Sequence, residues 1–299
     1  LDEFRKGSGP AHQVYFVVGP TAVGKSRWAL GEALRTEGVM VNADSVQFYR
    51  GFDIGTAKPT LKERSLVPHF LYDVSDPDEP ITAADFRERA LAVIAESVRK
   101  RPVYVVGGSG FYLQALEKGI HEAPPLTAQT LARLSEERDR YGLQYLHDRL
   151  TELDPKVARK ISANDSYRLQ RNLGLIYQTG QTVTAIREEF RKKAFEFPFP
   201  LKKIGFRLNR SELRVRVQQR VLKMLEDGWI EEVEGLLTKG YGSSKAMQSI
   251  GYKEVYGYLQ GDMDRDELNE RIVTSTMQLA KRQMTWFRRD VEIDWIHGQ

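Results

Sequence analysis

The chain has 299 residues, 41% of them hydrophobic, with a formal charge of +4; this supports a packed core and excludes a disordered chain. It has no cysteine, which rules out disulfides and thiolate metal sites, and its five histidines (His12, His69, His121, His147, His297) lack metal-ligand spacing. No apolar run approaches the ~18–20 residues of a membrane span and Leu1–Gln13 has no signal-like apolar stretch, so a soluble cytoplasmic protein without a membrane partner is expected.

Val14–Val18 is an apolar run closed by Gly19 and Pro20, and it reads as a buried strand. Lys25–Arg35 follows with helical composition, and Val39–Asn42 reads as a second strand. Ala83–Lys100 is predicted helical, with Phe86, Ala90, Val93 and Ile94 on one side; Pro102–Val106 is another strand, ending in Gly107-Gly108. Strands alternating with helices indicate a parallel sheet covered on both faces. The character changes after Gly119: Ala123-Pro124-Pro125 breaks the chain, and Thr127–Lys193 is highly charged and reads as short helices. A strand returns at Lys203–Leu208. One long amphipathic helix is predicted through Leu213, Val217, Val221, Leu225 and Ile230. A last helix starts at Asp264, with Glu267 in capping-box spacing, and Val291–Ile296 is a final strand. The expected fold is α/β: a P-loop NTPase-like parallel sheet flanked by helices. Residues 1–120 and 195–299 form the core, and 121–194 form an all-helical insertion.

Gly19-Pro20-Thr21-Ala22-Val23-Gly24-Lys25-Ser26 fits G-x-x-x-x-G-K-[ST] between a strand and a helix. Its glycines let backbone N–H groups curl around an anion, and the helix N-terminus adds partial positive charge. Lys25 is suited to neutralising a terminal phosphate, and Ser26 to holding Mg²⁺. The motif indicates a di- or triphosphate and is shared by kinases, NTPases and transferases. Asp44 follows the second strand, on the edge where parallel sheets place ligands. It reads as a general base, a metal-associated carboxylate or a turn residue; Ser45 and Gln47 beside it suit a base edge. Two further loops share this placement: Asp53-Ile54-Gly55-Thr56-Ala57-Lys58-Pro59, and Gly107-Gly108-Ser109-Gly110-Phe111-Tyr112.

The C-terminal third mixes cations, amides and aromatics in Gln248–Lys253 and Ala280–Arg288. On a helix, Lys281, Thr285 and Arg288 share one face and Arg282, Trp286 and Arg289 the next. Cations neutralise phosphates and rings stack on exposed bases, although such clusters are also ordinary solvated helix faces. Arg168 with Arg171, and Arg216 with Arg220, are further basic pairs.

From about Val14 to Trp295 the ordered series GPTAVGKS, ADSVQFYRGFDIGTAKP, PHFLYD, GGSGFYL, QSIGYKE and AKRQMTWFR resembles the bacterial tRNA dimethylallyltransferase family. The resemblance implies transfer of dimethylallyl from dimethylallyl diphosphate to the exocyclic amine of the adenine beside the anticodon. The phosphate loop would then hold the donor's diphosphate with Mg²⁺, and Asp44 would accept the amine proton. It also implies tRNA contacts, through the anticodon stem-loop, at Asp44, Ser45, Val46 and Gln47 and at Ser109. A second group is Tyr167, Arg168, Leu169, Gln170 and Arg171, in the insertion expected to grip the stem. The rest are Gln248, Ser249, Ile250, Gly251, Tyr252 and Lys253, with Lys281, Arg282, Gln283, Thr285, Trp286 and Arg288. A monomer is expected. The chain departs from the family's usual residues at Phe70, Asn172, Gly174 (usually Glu) and Met277, and Leu131 stands near an otherwise basic position. A small-molecule P-loop kinase and a noncatalytic RNA-binding relative are the alternatives.

Overall fold

The computed structural model describes residues 12–120, 124–192 and 195–297. His121, Ala123, Lys193 and most of Leu1–Gln13 lie outside them. The strands are β1 (Val14–Val18), β2 (Val39–Asn42), β3 (His69–Phe70), β4 (Val103–Val106), β5 (Leu201–Arg207) and β6 (Ile293–His297). They form one sheet in the order β3-β2-β4-β1-β5-β6, with every pairing parallel. β2 and β4 are buried at every position, as expected of parallel strands covered on both faces. Along β1 the side chains alternate between two layers: Val17 joins one core cluster, while Val14, Phe16 and Val18 join the other.

The covering helices are α1 (Lys25–Arg35), α2 (Leu61–Leu66), α3 (Ala83–Ser97) and α4 (Gly110–Lys118). Thr82 and Asp85 close a capping box at the start of α3. The helical segment holds α5 (Ala128–Leu153), α6 (Pro155–Ala158), α7 (Ser166–Thr179) and α8 (Val183–Lys192). After β5 come α9 (Arg210–Glu226), α10 (Trp229–Thr238), α11 (Tyr252–Leu259) and α12 (Arg265–Phe287).

Two element assignments change. The single amphipathic helix expected through Ile230 is two: Gly228 adopts φ 98° and ends α9, and Ile230 belongs to α10. The short helices expected after Thr127 include one of 26 residues, α5, bent at Gly142, where φ is 81°. At the start of α12 Asp264 caps by accepting the Glu267 N–H at 2.9 Å, while the Glu267 carboxylate turns to Arg271.

The chain divides into two compact units, Leu1–Glu117 with Phe197–Gln299, and Lys118–Glu196. The helical unit has its own core, including Leu134, Leu146, Leu150, Leu169 and Leu173. Gly174 lies in that core, where a Cβ would come within 2.5 Å of Leu126 and 3.1 Å of Leu134. The absent side chain is therefore filled by leucine. Gly174→Glu, which restores the family's usual residue, is expected to destabilise the helical unit by roughly 2 kcal/mol or more, because it buries a carboxylate among leucines. Thermal unfolding of the full chain checks this.

In the sheet unit Lys203 of β5 has a side chain only 5% exposed, and its Nζ donates to Glu117 (2.8 Å), Asp290 (2.8 Å) and Glu292 (2.7 Å). Among the described residues, no helix is long and apolar enough to cross a membrane.

Candidate active site

The site lies at the carboxyl ends of three adjacent strands, β1, β4 and β2, where parallel sheets place ligands. β1 runs into the phosphate loop. Gly24 has φ 93°, a left-handed conformation that turns the loop into α1 and favours glycine. The Lys25 ammonium folds back over the loop and donates to the Pro20 carbonyl at 2.5 Å. Burial lowers its pKa to about 7; Asp44 pulls the other way, and Arg220 adds to the lowering. Ser26, one residue on, is exposed.

β2 ends in Asn42, which is fully buried and sets the backbone of Asp44. Asn42 Oδ1 accepts the Asp44 N–H at 2.8 Å, and Nδ2 donates to the carbonyls of Leu71 (3.0 Å) and Asp44 (3.1 Å). Asp44 Oδ1 accepts the Val46 N–H at 3.0 Å. Oδ2 makes no hydrogen bond among the described residues. β4 ends in Gly107-Gly108, and a Cβ on Gly107 would lie 2.1 Å from the Ala43 carbonyl oxygen, so only glycine lets the two loops approach. Ser109 Oγ accepts the Ser45 N–H at 3.2 Å.

The loop from Asp53 to Pro59 is fixed from three sides. Lys58 ion-pairs with Asp53 and Asp73, both at 2.6 Å, and donates to the Tyr49 carbonyl at 2.7 Å. The Glu232 carboxylate of α10 accepts three successive backbone N–H groups, from Asp53 (3.0 Å), Ile54 (2.7 Å) and Gly55 (3.3 Å). Gln47 Nε2 donates to the Thr56 carbonyl at 3.0 Å, so its amide serves this loop.

These loops enclose a cavity of about 330 Å³. One end is polar, with Thr21, Asp44, Ser45, Ser109 and Arg220; the wall from α9, α10 and α12 is apolar, with Val217, Val221, Met224, Trp229, Ile272 and Leu279. Arg220 reaches in from α9 and donates weakly to the Thr56 carbonyl at 3.3 Å. Burial draws its pKa down, opposed by Asp44. A groove of about 500 Å³ beside Lys253, Asp262, Glu267 and Glu270 has neither the phosphate loop nor an apolar wall of this kind. Among the described residues no group of three or more His, Cys, Asp or Glu converges on a metal position.

The expected RNA-facing residues separate by exposure. Gln248, Lys253, Lys281, Arg282, Thr285 and Arg288 are exposed, and Trp286 is partly so. Ser249, Ile250 and Tyr252 line the cavity; Tyr252 is 1% exposed, and its hydroxyl donates to Glu232 at 2.6 Å. Gly251 is buried. In the helical unit Tyr167 is 76% exposed and Arg168 is exposed, pairing with Asp165 at 3.5 Å. Gln170 donates to Ser166 at 2.9 Å, and Arg171 to the Pro124 carbonyl at 3.0 Å. Leu169 is fully buried, so its side chain is a core group of the helical unit. Glu232, Trp229 and Asn42 belong to the site without having been read as site residues, and Arg220, read only as half of a basic pair with Arg216, lines the cavity. For Arg220 the signal was present: it lies three residues after Val217 and one before Val221, on the edge of the inward face of α9.

The model of the IPP transferase family matches residues 47–290. A tRNA dimethylallyltransferase of Bdellovibrio bacteriovorus is 46% identical over 286 residues, covering 95% of this chain and 93% of that protein. The full-length tRNA isopentenylpyrophosphate transferase of Bacillus halodurans superposes with a TM-score of 0.69 at 36% identity, covering 96% of this chain and 90% of that one. A eukaryotic dimethylallyltransferase acting on tRNA gives a TM-score of 0.79 at 27% identity, covering 97% and 74%. With a phosphate loop, a carboxylate and an apolar wall around one cavity, and with relatives matching along nearly its whole length, the chain belongs to the IPP transferase family.

Proposed function

We propose that the chain transfers a dimethylallyl group from dimethylallyl diphosphate to the exocyclic amine of the adenine 3′ to the anticodon in tRNA, releasing diphosphate. The observation that carries this is the single cavity joining Thr21 of the phosphate loop, the Asp44 carboxylate and an apolar wall. A nucleotide's phosphates would need only the first; a five-carbon chain needs the third. The amine nitrogen attacks the allylic carbon as its bond to the diphosphate oxygen breaks. Lys25 and the loop amides hold the charge that develops on the leaving diphosphate. Asp44 Oδ2 takes the proton that the amine loses. Arg220, across from Asp44, adds a second cation at the polar end. The adenine has to leave its stack to enter the cavity.

Mg²⁺ in diphosphate sites is held by one or two protein oxygens plus the phosphates, and it neutralises phosphate charge. The exposed Ser26 hydroxyl suits such a shared ion better than a protein cage. The exposed cations of α12 and the exposed Tyr167 and Arg168 suit the phosphates and bases of the anticodon arm. The chain acts as a monomer in the cytoplasm on this reading.

Two measurements test the donor. Calorimetry is expected to show dimethylallyl diphosphate binding at least about tenfold more tightly than inorganic diphosphate, because the tail's carbons are buried; equal affinities, or tighter binding of ATP with phosphoryl transfer, favour a kinase. The donor's Kd is also expected to rise with pH. Lys25 titrates near 7 in the free protein and is held protonated by the diphosphate. Affinity is then full below pH 7 and falls above it, by roughly tenfold between pH 6 and 8. Lys25→Met should bind weakly at both values, without that step.

A further inference from the structure

Gln283 of α12 stands between two loops that serve different halves of the proposed reaction. Its Oε1 accepts the Thr21 N–H of the phosphate loop at 3.0 Å, and its Nε2 donates to the Gly108 carbonyl at 3.1 Å. Ser109, next in the chain, accepts the Ser45 N–H at 3.2 Å, directly beside Asp44. One side-chain amide thus links the diphosphate loop to the strand end that carries the carboxylate. The partners are 262 and 175 residues away in sequence, so no local structure imposes these bonds. The surroundings are shaped for the amide: a Cβ on Gly108 would lie 2.2 Å from Nε2. Thr21, Gly108, Ser109 and Gln283 all border the cavity.

The Gln283 oxygen and one of its N–H groups are consumed by protein backbone, and Thr21 spends its N–H on Gln283. We infer that Gln283 is a positioning residue that fixes the spacing between the phosphate loop and Asp44, and that it does not serve as an RNA contact. The inference rests on the prenyl-transfer reading. Transfer needs the allylic carbon, held by its diphosphate on one loop, in line with an amine held against the other. A misplacement of about 1 Å costs on the order of 10²-fold in rate.

The test uses the full chain with Gln283→Met, which keeps the length of the side chain and removes both bonds. Gly108→Ala is the second variant; it displaces the amide with no change to α12. Single-turnover transfer at saturating donor and anticodon stem-loop, RNA affinity, and hydrogen exchange at the Thr21 amide are measured on each. Both variants are expected to slow transfer about 10- to 100-fold with RNA affinity within about twofold of wild type. Both should lose protection at Thr21, and the double variant should be no slower than the slower single, because both changes remove one brace. Weaker RNA binding with an unchanged saturated rate in Gln283→Met would overturn the inference and make the residue an RNA contact. So would unchanged Thr21 protection. If Gln283→Met fails to fold, Gly108→Ala decides by the same readings. A wild-type chain that transfers no prenyl group would sink the reading of the reaction, while Thr21 exchange would still report on the brace.

Discussion

Asp44→Asn is expected to lower the rate of transfer by about 10²- to 10⁴-fold, the range that a positioned general base contributes. The substitution is chosen for what it preserves. Asn keeps the oxygen that accepts the Val46 N–H at 3.0 Å, and the backbone bonds from Asn42 are unaffected. The turn should therefore stand, and the unfolding temperature should stay within about 2 °C of wild type. Asp44→Ala removes the turn bond as well and should cost about 1 kcal/mol more in stability. RNA affinity should change little, because the amine's proton is lost only as the new bond forms. A wild-type rate in Asp44→Asn removes Asp44 from the role of base.

Lys203→Met is expected to give the largest loss of stability. It leaves Glu117, Asp290 and Glu292 facing one another without the ammonium that bonds all three. Removing one member of a buried ionic cluster costs about 3 kcal/mol at the low end, which applies because Glu292 is 69% exposed. The sheet unit should melt roughly 6–12 °C lower. The pH dependence follows from the direction of the lysine's shift. Burial alone would lower its pKa, but hydrogen bonds to the three carboxylates outweigh burial and raise it. The wild-type contribution is then fully present below the unfolded lysine pKa of about 10.4 and is lost only as pH rises through the higher folded value. The variant's deficit relative to wild type should therefore persist at neutral pH and narrow only as pH rises through the lysine's range. Melting curves of both proteins at pH 7 check this; coincident curves would contradict it.

The elements that could be read from the chain are those whose signal is local. β1, β2 and β4 are short apolar runs ended by Gly or a polar turn, and α12 announces itself through Asp264. β3 has only two residues, too few for any periodicity. The break between α9 and α10 was hidden because Trp229 and Ile230 follow Gly228 at once and continue the apolar pattern. At the site, the phosphate loop and Asp44 follow strands in sequence, so the rule that ligands bind at strand ends was enough to place them. Glu232 and Trp229 arrive together from one distant helix, α10, and nothing in their own neighbourhood marks them. A motif also carries over the buried face of an element together with the exposed one. This is why Leu169, a core residue, stood beside exposed Arg168 in the expected RNA surface. Gln283 lies among exposed cations on α12, and only its bond partners show that it faces inward.

The most direct measurement of the central claim follows label from dimethylallyl diphosphate into an anticodon stem-loop, with Mg²⁺, comparing adenine and guanine at the position 3′ to the anticodon. The account predicts label in the adenine RNA alone, on the base, with diphosphate released in equal amount. Label in neither RNA, from a folded protein that still binds both, would contradict it.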